Sequence, residues 1–205
     1  MIRYSLFIMC IVLFSCGDDG PGYQEPYIPG SDDDPVVITP LSDEEMMDLT
    51  QKETFKYFWD FANADSGAAK ERYHPNEPTL NQNVVTSGAT GFGLMSIIVA
   101  IERGFITRAQ GIERLNKIFN FLENADRFHG AWSHWINGSS GNVIPFSAKD
   151  DGGDLVETAF LVQGLICVKE YLKNGTDAEK ALATKADILW KGVLLCPGLH
   201  NMVFL

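Results

Sequence analysis

The sequence predicts an all-α fold in which inner and outer helices alternate, the arrangement that builds an α/α toroid. Three observations carry this. Two stretches, Gly91 to Arg103 and Asp154 to Leu172, are apolar nearly all round, as helices buried on most sides are. Each precedes an amphipathic stretch, 108–125 and 177–191, with one apolar stripe and one wet face. Capping boxes, a Ser or Thr followed three residues later by Glu or Gln, punctuate the chain. No stretch shows strand alternation.

The first helix opens at Ser42-Asp43-Glu44-Glu45 and carries Phe55, Phe58, Trp59 and Ala62 on one stripe, at i, i+3, i+4 and i+7. Asp65-Ser66-Gly67 is expected to end it. Residues 66–88 are polar and irregular. The second helix, 91–103, stops at Gly104 in the position that favours a left-handed residue. Gly91-Phe92-Gly93 is no phosphate loop, having no third glycine, no lysine and no preceding strand. Thr107-Arg108-Ala109-Gln110 opens the third helix, with Ile112, Leu115, Ile118, Phe119 and Leu122 as its stripe. The fourth closes at Asn174-Gly175, and Thr176 to Glu179 cap the fifth. Inner–outer pairs of about fifty residues leave room for two and a half pairs in 205 residues.

The N-terminus reads as an address. Arg3 precedes an apolar run from Tyr4 to Phe14, too short to span a bilayer and suited to a secretory signal. Leu13-Phe14-Ser15-Cys16 resembles the bacterial lipobox, which makes Cys16 the expected site of lipidation and of membrane anchoring. Residues 1–15 are then a lipoprotein signal peptide. Residues 16–40, rich in Pro, Gly and Asp, are a flexible acidic tether with too little to bury to offset its ordering entropy. The anchored domain would face the periplasm or the cell exterior.

Charge excludes one partner class. The formal charge is −11, but residues 17–51 hold ten acids and no Lys or Arg, which leaves −1 for the rest. Nucleic acid would need a basic face, and none is present. The cysteines show neither a disulfide framework nor zinc spacing.

Chemistry concentrates between Asp126 and Phe160. His129, Trp132, His134 and Trp135 crowd together, a turn-rich loop follows, and then comes Asp150-Asp151-Gly152-Gly153-Asp154-Leu155-Val156-Glu157. Asp154 and Glu157 share a helix face with Cβ atoms ~5–6 Å apart. Asp154 alone would read as a helix cap. Four carboxylates within eight residues point further, to a site that keeps one acid protonated beside one ionised. Glycoside hydrolysis needs that pair of states, separated by ~6.5–9.5 Å for inversion or ~5–5.5 Å for retention. An i,i+3 pair is close for inversion, so an inverting enzyme would draw a partner from elsewhere. Trp132 and Trp135 are slabs that either stack on sugars or fill the core. His129 and His134, with the aspartates, form only weak metal spacing, so no metal is expected.

Five segments now carry a family resemblance. Phe55-Lys56-Tyr57-Phe58-Trp59-Asp60-Phe61, Thr90-Gly91-Phe92-Gly93-Leu94, Glu102-Arg103-Gly104-Phe105-Ile106-Thr107, His129-Gly130-Ala131-Trp132 and the run from Asp150 to Thr158 resemble the glucoamylase-like family that includes endo-β-1,2-glucanases. The resemblance covers about Leu41 to Gly192. It implies an incomplete (α/α)6 toroid, about five of twelve helices from the N-terminal part. It also implies hydrolysis of a β-glucan, most simply β-1,2-glucan, by inversion and without a cofactor. Asp154 and Glu157 fall on the family's essential acids and Asp150 on a nearby polar contact. Asp151, His129, Trp132, His134 and Trp135 are the further expected substrate contacts. After Trp190-Lys191-Gly192 the stretch 193–205, VLLCPGLHNMVFL, departs from the family pattern. A frameshift or truncation is the expectation there, with residues 16–205 alone poorly folded and inactive. A surface glycan-binding lipoprotein is the alternative, sharing the anchor, helices and aromatics but needing no acids.

Overall fold

The computed structural model describes residues 40–145, 147–149 and 151–194. Cys16, Asp150, the signal, the tether up to residue 39 and all but the start of the divergent tail lie outside the described residues. Among the described residues the fold is five helices and five very short strands: α1 (Asp43–Trp59), β1 (Val84–Thr86), α2 (Ser87–Glu102), α3 (Arg108–Asn124), β2 (Arg127–Phe128), β3 (Ala131–Trp132), β4 (Trp135–Asn137), β5 (Val143–Ile144), α4 (Leu155–Leu172) and α5 (Asp177–Leu194). This is part of an α/α toroid, as the helix order predicts.

The capping boxes form as read. Ser42 Oγ accepts the Glu45 amide while Glu45 accepts the Ser42 amide, and Thr107 and Gln110 repeat the exchange. Thr176 and Glu179 do the same for α5, and Glu179 also takes Arg108 Nε at 2.5 Å. The Thr176 amide and hydroxyl, with Arg108, hold the Glu179 carboxyl below the usual carboxylate range. The starts of α3 and α5 are therefore clamped together.

Two boundaries differ from expectation. α1 stops at Trp59, because the Asn63 side chain accepts the Asp65 and Ser66 amides and folds the chain into a turn. Such local side-chain bonds compete with helix. α2 starts at Ser87, four residues early, with Thr86 as its cap accepting the Ala89 amide.

α2 packs against α4 at backbone contact. A Cβ on Gly91 would lie 2.2 Å from the Phe160 carbonyl oxygen, and one on Gly164 would lie 2.4 Å from that of Gly91. Glycine in Gly91-Phe92-Gly93 thus serves helix packing. Leu94 and Ile97 from α2, Leu115, Ile118 and Phe119 from α3, Leu161 and Leu165 from α4 and Ala186 from α5 are buried in one core, each large aliphatic contributing ~1.5–3 kcal/mol. Phe92, Val99, Leu155, Val156 and Phe160 remain exposed, so the described residues do not cover every face that the sequence marks as apolar.

The stretch read as a long irregular loop is two small sheets. β2 and β3 form a hairpin whose turn residues, His129 at φ 50° and Gly130 at φ 84°, are both left-handed, as the tightest hairpin turns require. β4 lies antiparallel between β1 and β5. These strands of two or three residues tie the loop to the first turn of α2 and to the start of α4.

Candidate active site

The site is built on the N-terminus of α4. Asp154 is the N-cap, with Oδ1 accepting the Val156 and Glu157 amides at 2.9 and 3.0 Å. Its Oδ2 lies 3.3 Å from Nδ1 of His134. The capping reading of Asp154 is thus correct as far as it goes, and the imidazole contact adds something a cap does not need. Glu157 does not turn back on its own helix. Its Oε2 accepts the Gly88 amide at 3.0 Å, across to the first turn of α2.

The loop that presents His134 is held from three directions. Ser87 donates its hydroxyl to the Ser133 carbonyl and its amide to the His134 carbonyl. The Asp154 amide donates to the Trp132 carbonyl, and the Thr158 hydroxyl exchanges bonds with the Trp132 amide and carbonyl. Gly153 lets the 151–154 segment lie on the hairpin, since a Cβ there would sit 2.8 Å from that of Ala131. His134 is thereby set against Asp154, while the adjacent amides of Ser87 and Gly88 hold the His134 carbonyl and the Glu157 carboxylate. Trp135, half-buried, meets the His134 ring edge-on at 5.9 Å.

Trp132 corrects one expectation. It is fully buried, with its indole N–H donating to the Leu122 carbonyl and the Arg127 guanidinium 3.6 Å over its ring. Burial pushes Arg127 down to about 10, still cationic at neutral pH. Trp132 therefore has no face for a sugar; it fills the core beneath the site, because β3 is buried on both sides.

His129 is exposed at the hairpin tip, edge-on to Phe128 at 4.3 Å, and its left-handed backbone gives it a turn role. Asp151 is exposed and lines a cavity of about 220 Å³ with Phe128, Asp126, Arg127 and Ser133. Phe128 is 59% exposed and is an aromatic at this cavity that the sequence reading does not single out. Ser87 and Gly88, which the sequence places in an irregular stretch, also belong to the site. An apolar cavity of about 300 Å³ between α1 and α2, lined by Thr50, Phe55, Phe92 and Phe105, contains none of the candidate acids. Among the described residues no group of three or more His, Cys, Asp or Glu side chains is placed to hold a metal ion.

No family model matches the chain. It is 48% identical over 155 residues to an exo-β-1,2-glucooligosaccharide sophorohydrolase of Parabacteroides distasonis, a match that covers 75% of this chain and 21% of that protein. An endo-β-1,2-glucanase of Chitinophaga pinensis, solved with sophorotriose and glucose, superposes with a TM-score of 0.73 at 56% identity, covering 75% of this chain and 37% of that one. A β-1,2-glucanase structure from Parabacteroides distasonis gives 0.69 at 45% identity, over 75% of this chain and 22% of that one. The chain thus spans about a fifth of the length of the curated relative it matches.

Proposed function

The chain is homologous over about three-quarters of its length to glucoamylase-like β-1,2-glucan hydrolases, and from that premise we propose that it serves a glycoside hydrolase acting on β-1,2-linked glucan through Asp154 and Glu157. The observation that carries the reading is the direction of Glu157. A first-turn acid that only stabilised α4 would stay on α4; this one is held by another helix, at the amide next to the one that holds the His134 carbonyl.

Hydrolysis requires a proton delivered to the glycosidic oxygen as its bond to C1 breaks, and a water oxygen attacking C1 while a base takes the water's proton. Inversion sets the two carboxyl groups ~6.5–9.5 Å apart, wider than neighbouring helix positions provide. Glu157 and Asp154 therefore serve one side of the scissile bond, and the opposing carboxylate comes from elsewhere in the protein. Trp135, Asp151 and His129, with Asp150 in the same run, are the proposed sugar contacts. Glycan binding without catalysis is the second reading, favoured by the commitment of both Asp154 oxygens to the helix cap and His134.

The test is reducing-end release by the whole protein from β-1,2-, β-1,3- and β-1,4-linked glucans, with calorimetric binding alongside. Release from the β-1,2 polymer alone is expected. Binding without release establishes the second reading, and neither binding nor release removes both.

The Leu13-Phe14-Ser15-Cys16 box supports a lipid anchor, with residues 16–40 as tether and the domain facing the periplasm or the exterior. Each buried CH₂ of an acyl chain contributes ~0.8 kcal/mol, so several chains on Cys16 hold firmly. Cys16→Ala should move the protein from the membrane to the soluble fraction on ultracentrifugation. Equal membrane retention would overturn the anchor.

A further inference from the structure

We infer that Gly88 is a positioning residue for Glu157, an inference that rests on the hydrolase reading for its kinetic consequence but not for its geometry. Two independent features meet there. The first amides of a helix have no partner within it, and in α2 three elements take them: His134 O accepts Ser87, Glu157 Oε2 accepts Gly88 and Thr86 Oγ1 accepts Ala89. The Gly88 donor is thus aimed out of the helix at a carboxylate 69 positions away.

The second feature is space. A Cβ on residue 88 would lie 2.4 Å from Glu157 Oε2, 2.9 Å from Cδ and 3.2 Å from Oε1. No side chain but hydrogen leaves the carboxylate where it is. The obstructed group is the end of a flexible side chain, so an added methyl displaces Glu157 rather than breaking the packing of α2. A neighbouring residue shows the contrast: at Gly91 a Cβ would strike backbone, 2.2 Å from the Phe160 carbonyl oxygen. Gly91 is a packing glycine, and Gly88 is one that sets the place of an acid. Ser87 and Gly88 together therefore fix both the His134 loop and Glu157 from the same helix end.

The test is Gly88→Ala in the whole protein. Crystal structures of parent and variant should show the Glu157 carboxylate moved beyond hydrogen-bond distance of the residue 88 amide. A carboxylate still bonded to that amide in the variant overturns the inference. A misplacement of about 1 Å at a reacting group costs about 10²-fold in rate, so kcat on β-1,2-glucan should fall by about that factor with KM within about threefold. Tm should hold within about 3 °C, which a general loss of packing would not allow. Glu157→Asp shortens the side chain and relieves the contact, so the double variant should lose less than the product of the two single losses. Multiplicative losses, or a fall in Tm that accounts for the lost rate, would also overturn it. If the parent releases no sugar, the hydrolase reading fails and the two crystal structures alone decide the positioning contact.

Discussion

Glu157→Gln should lower turnover of β-1,2-glucan by about 10²-fold or more, the loss expected when a proton-transferring side chain can no longer exchange its proton. Glutamine keeps the length and shape of glutamate, and its carbonyl oxygen can still accept the Gly88 amide that Glu157 now takes at 3.0 Å. Packing and sugar contacts are therefore retained, and binding should stay within about threefold while kcat falls. Asp154→Asn is the informative companion. Asparagine caps helices about as well as aspartate, so the bonds to the Val156 and Glu157 amides survive, while the charge facing His134 Nδ1 is removed. A loss of turnover there at unchanged stability assigns Asp154 a chemical role beyond the cap. Near-normal turnover in Glu157→Gln would leave Glu157 as a brace between α2 and α4 and would move the proton transfer to another carboxylate.

The helices were legible where their signals are local. Ser42, Thr107 and Thr176 each meet their partner acid or amide within one turn, so the sequence alone contains the whole interaction. The apolar character of α2 and α4 was legible, and the two helices do meet at backbone contact. Phe92, Val99, Leu155, Val156 and Phe160 stay exposed, however, so among the described residues the burial on most sides that such a pattern predicts is met on only part of their surface. The strands were not legible. Two or three residues cannot display an alternation of period two, and β1 and β4 pair across about fifty residues of chain. The site divides along the same line. Asp154 as a cap follows from sequence, since its acceptors lie two and three residues on. Glu157's bond to Gly88 does not, because only the packing of α2 on α4 brings those positions together. The two tryptophans show the limit most plainly. Trp132 and Trp135 are three residues apart and chemically identical, yet one is sealed in the core and the other is partly open. The difference is made by which strand of which small sheet each one occupies.

Trp132→Ala should destabilise the fold by about 3–5 kcal/mol, the usual cost of emptying a buried aromatic site. Three elements depend on this side chain. Its ring is fully buried within the core that includes Leu122, Leu161 and Leu165. Its indole N–H satisfies the Leu122 carbonyl in the last turn of α3, one of the carbonyls a helix end leaves without an internal partner. Its face carries the half-buried Arg127 guanidinium at 3.6 Å, a cation–π contact of roughly 0.5–2 kcal/mol. Alanine removes all three together and leaves a half-buried cation beside a cavity. Against a typical domain stability of ~5–15 kcal/mol, that loss is a large fraction of the whole. Trp132→Phe should cost less, since most of the volume and a ring face remain and only the indole donor is lost, about 1–3 kcal/mol for an unsatisfied buried carbonyl. Denaturant midpoints of the three proteins check the order. The backbone of Trp132 also holds Asp154 and Thr158, so activity in Trp132→Ala should fall in step with the folded fraction. A variant that keeps its midpoint within about 1 kcal/mol of the parent and loses only glucan binding would reinstate Trp132 as a sugar platform and overturn its assignment to the core.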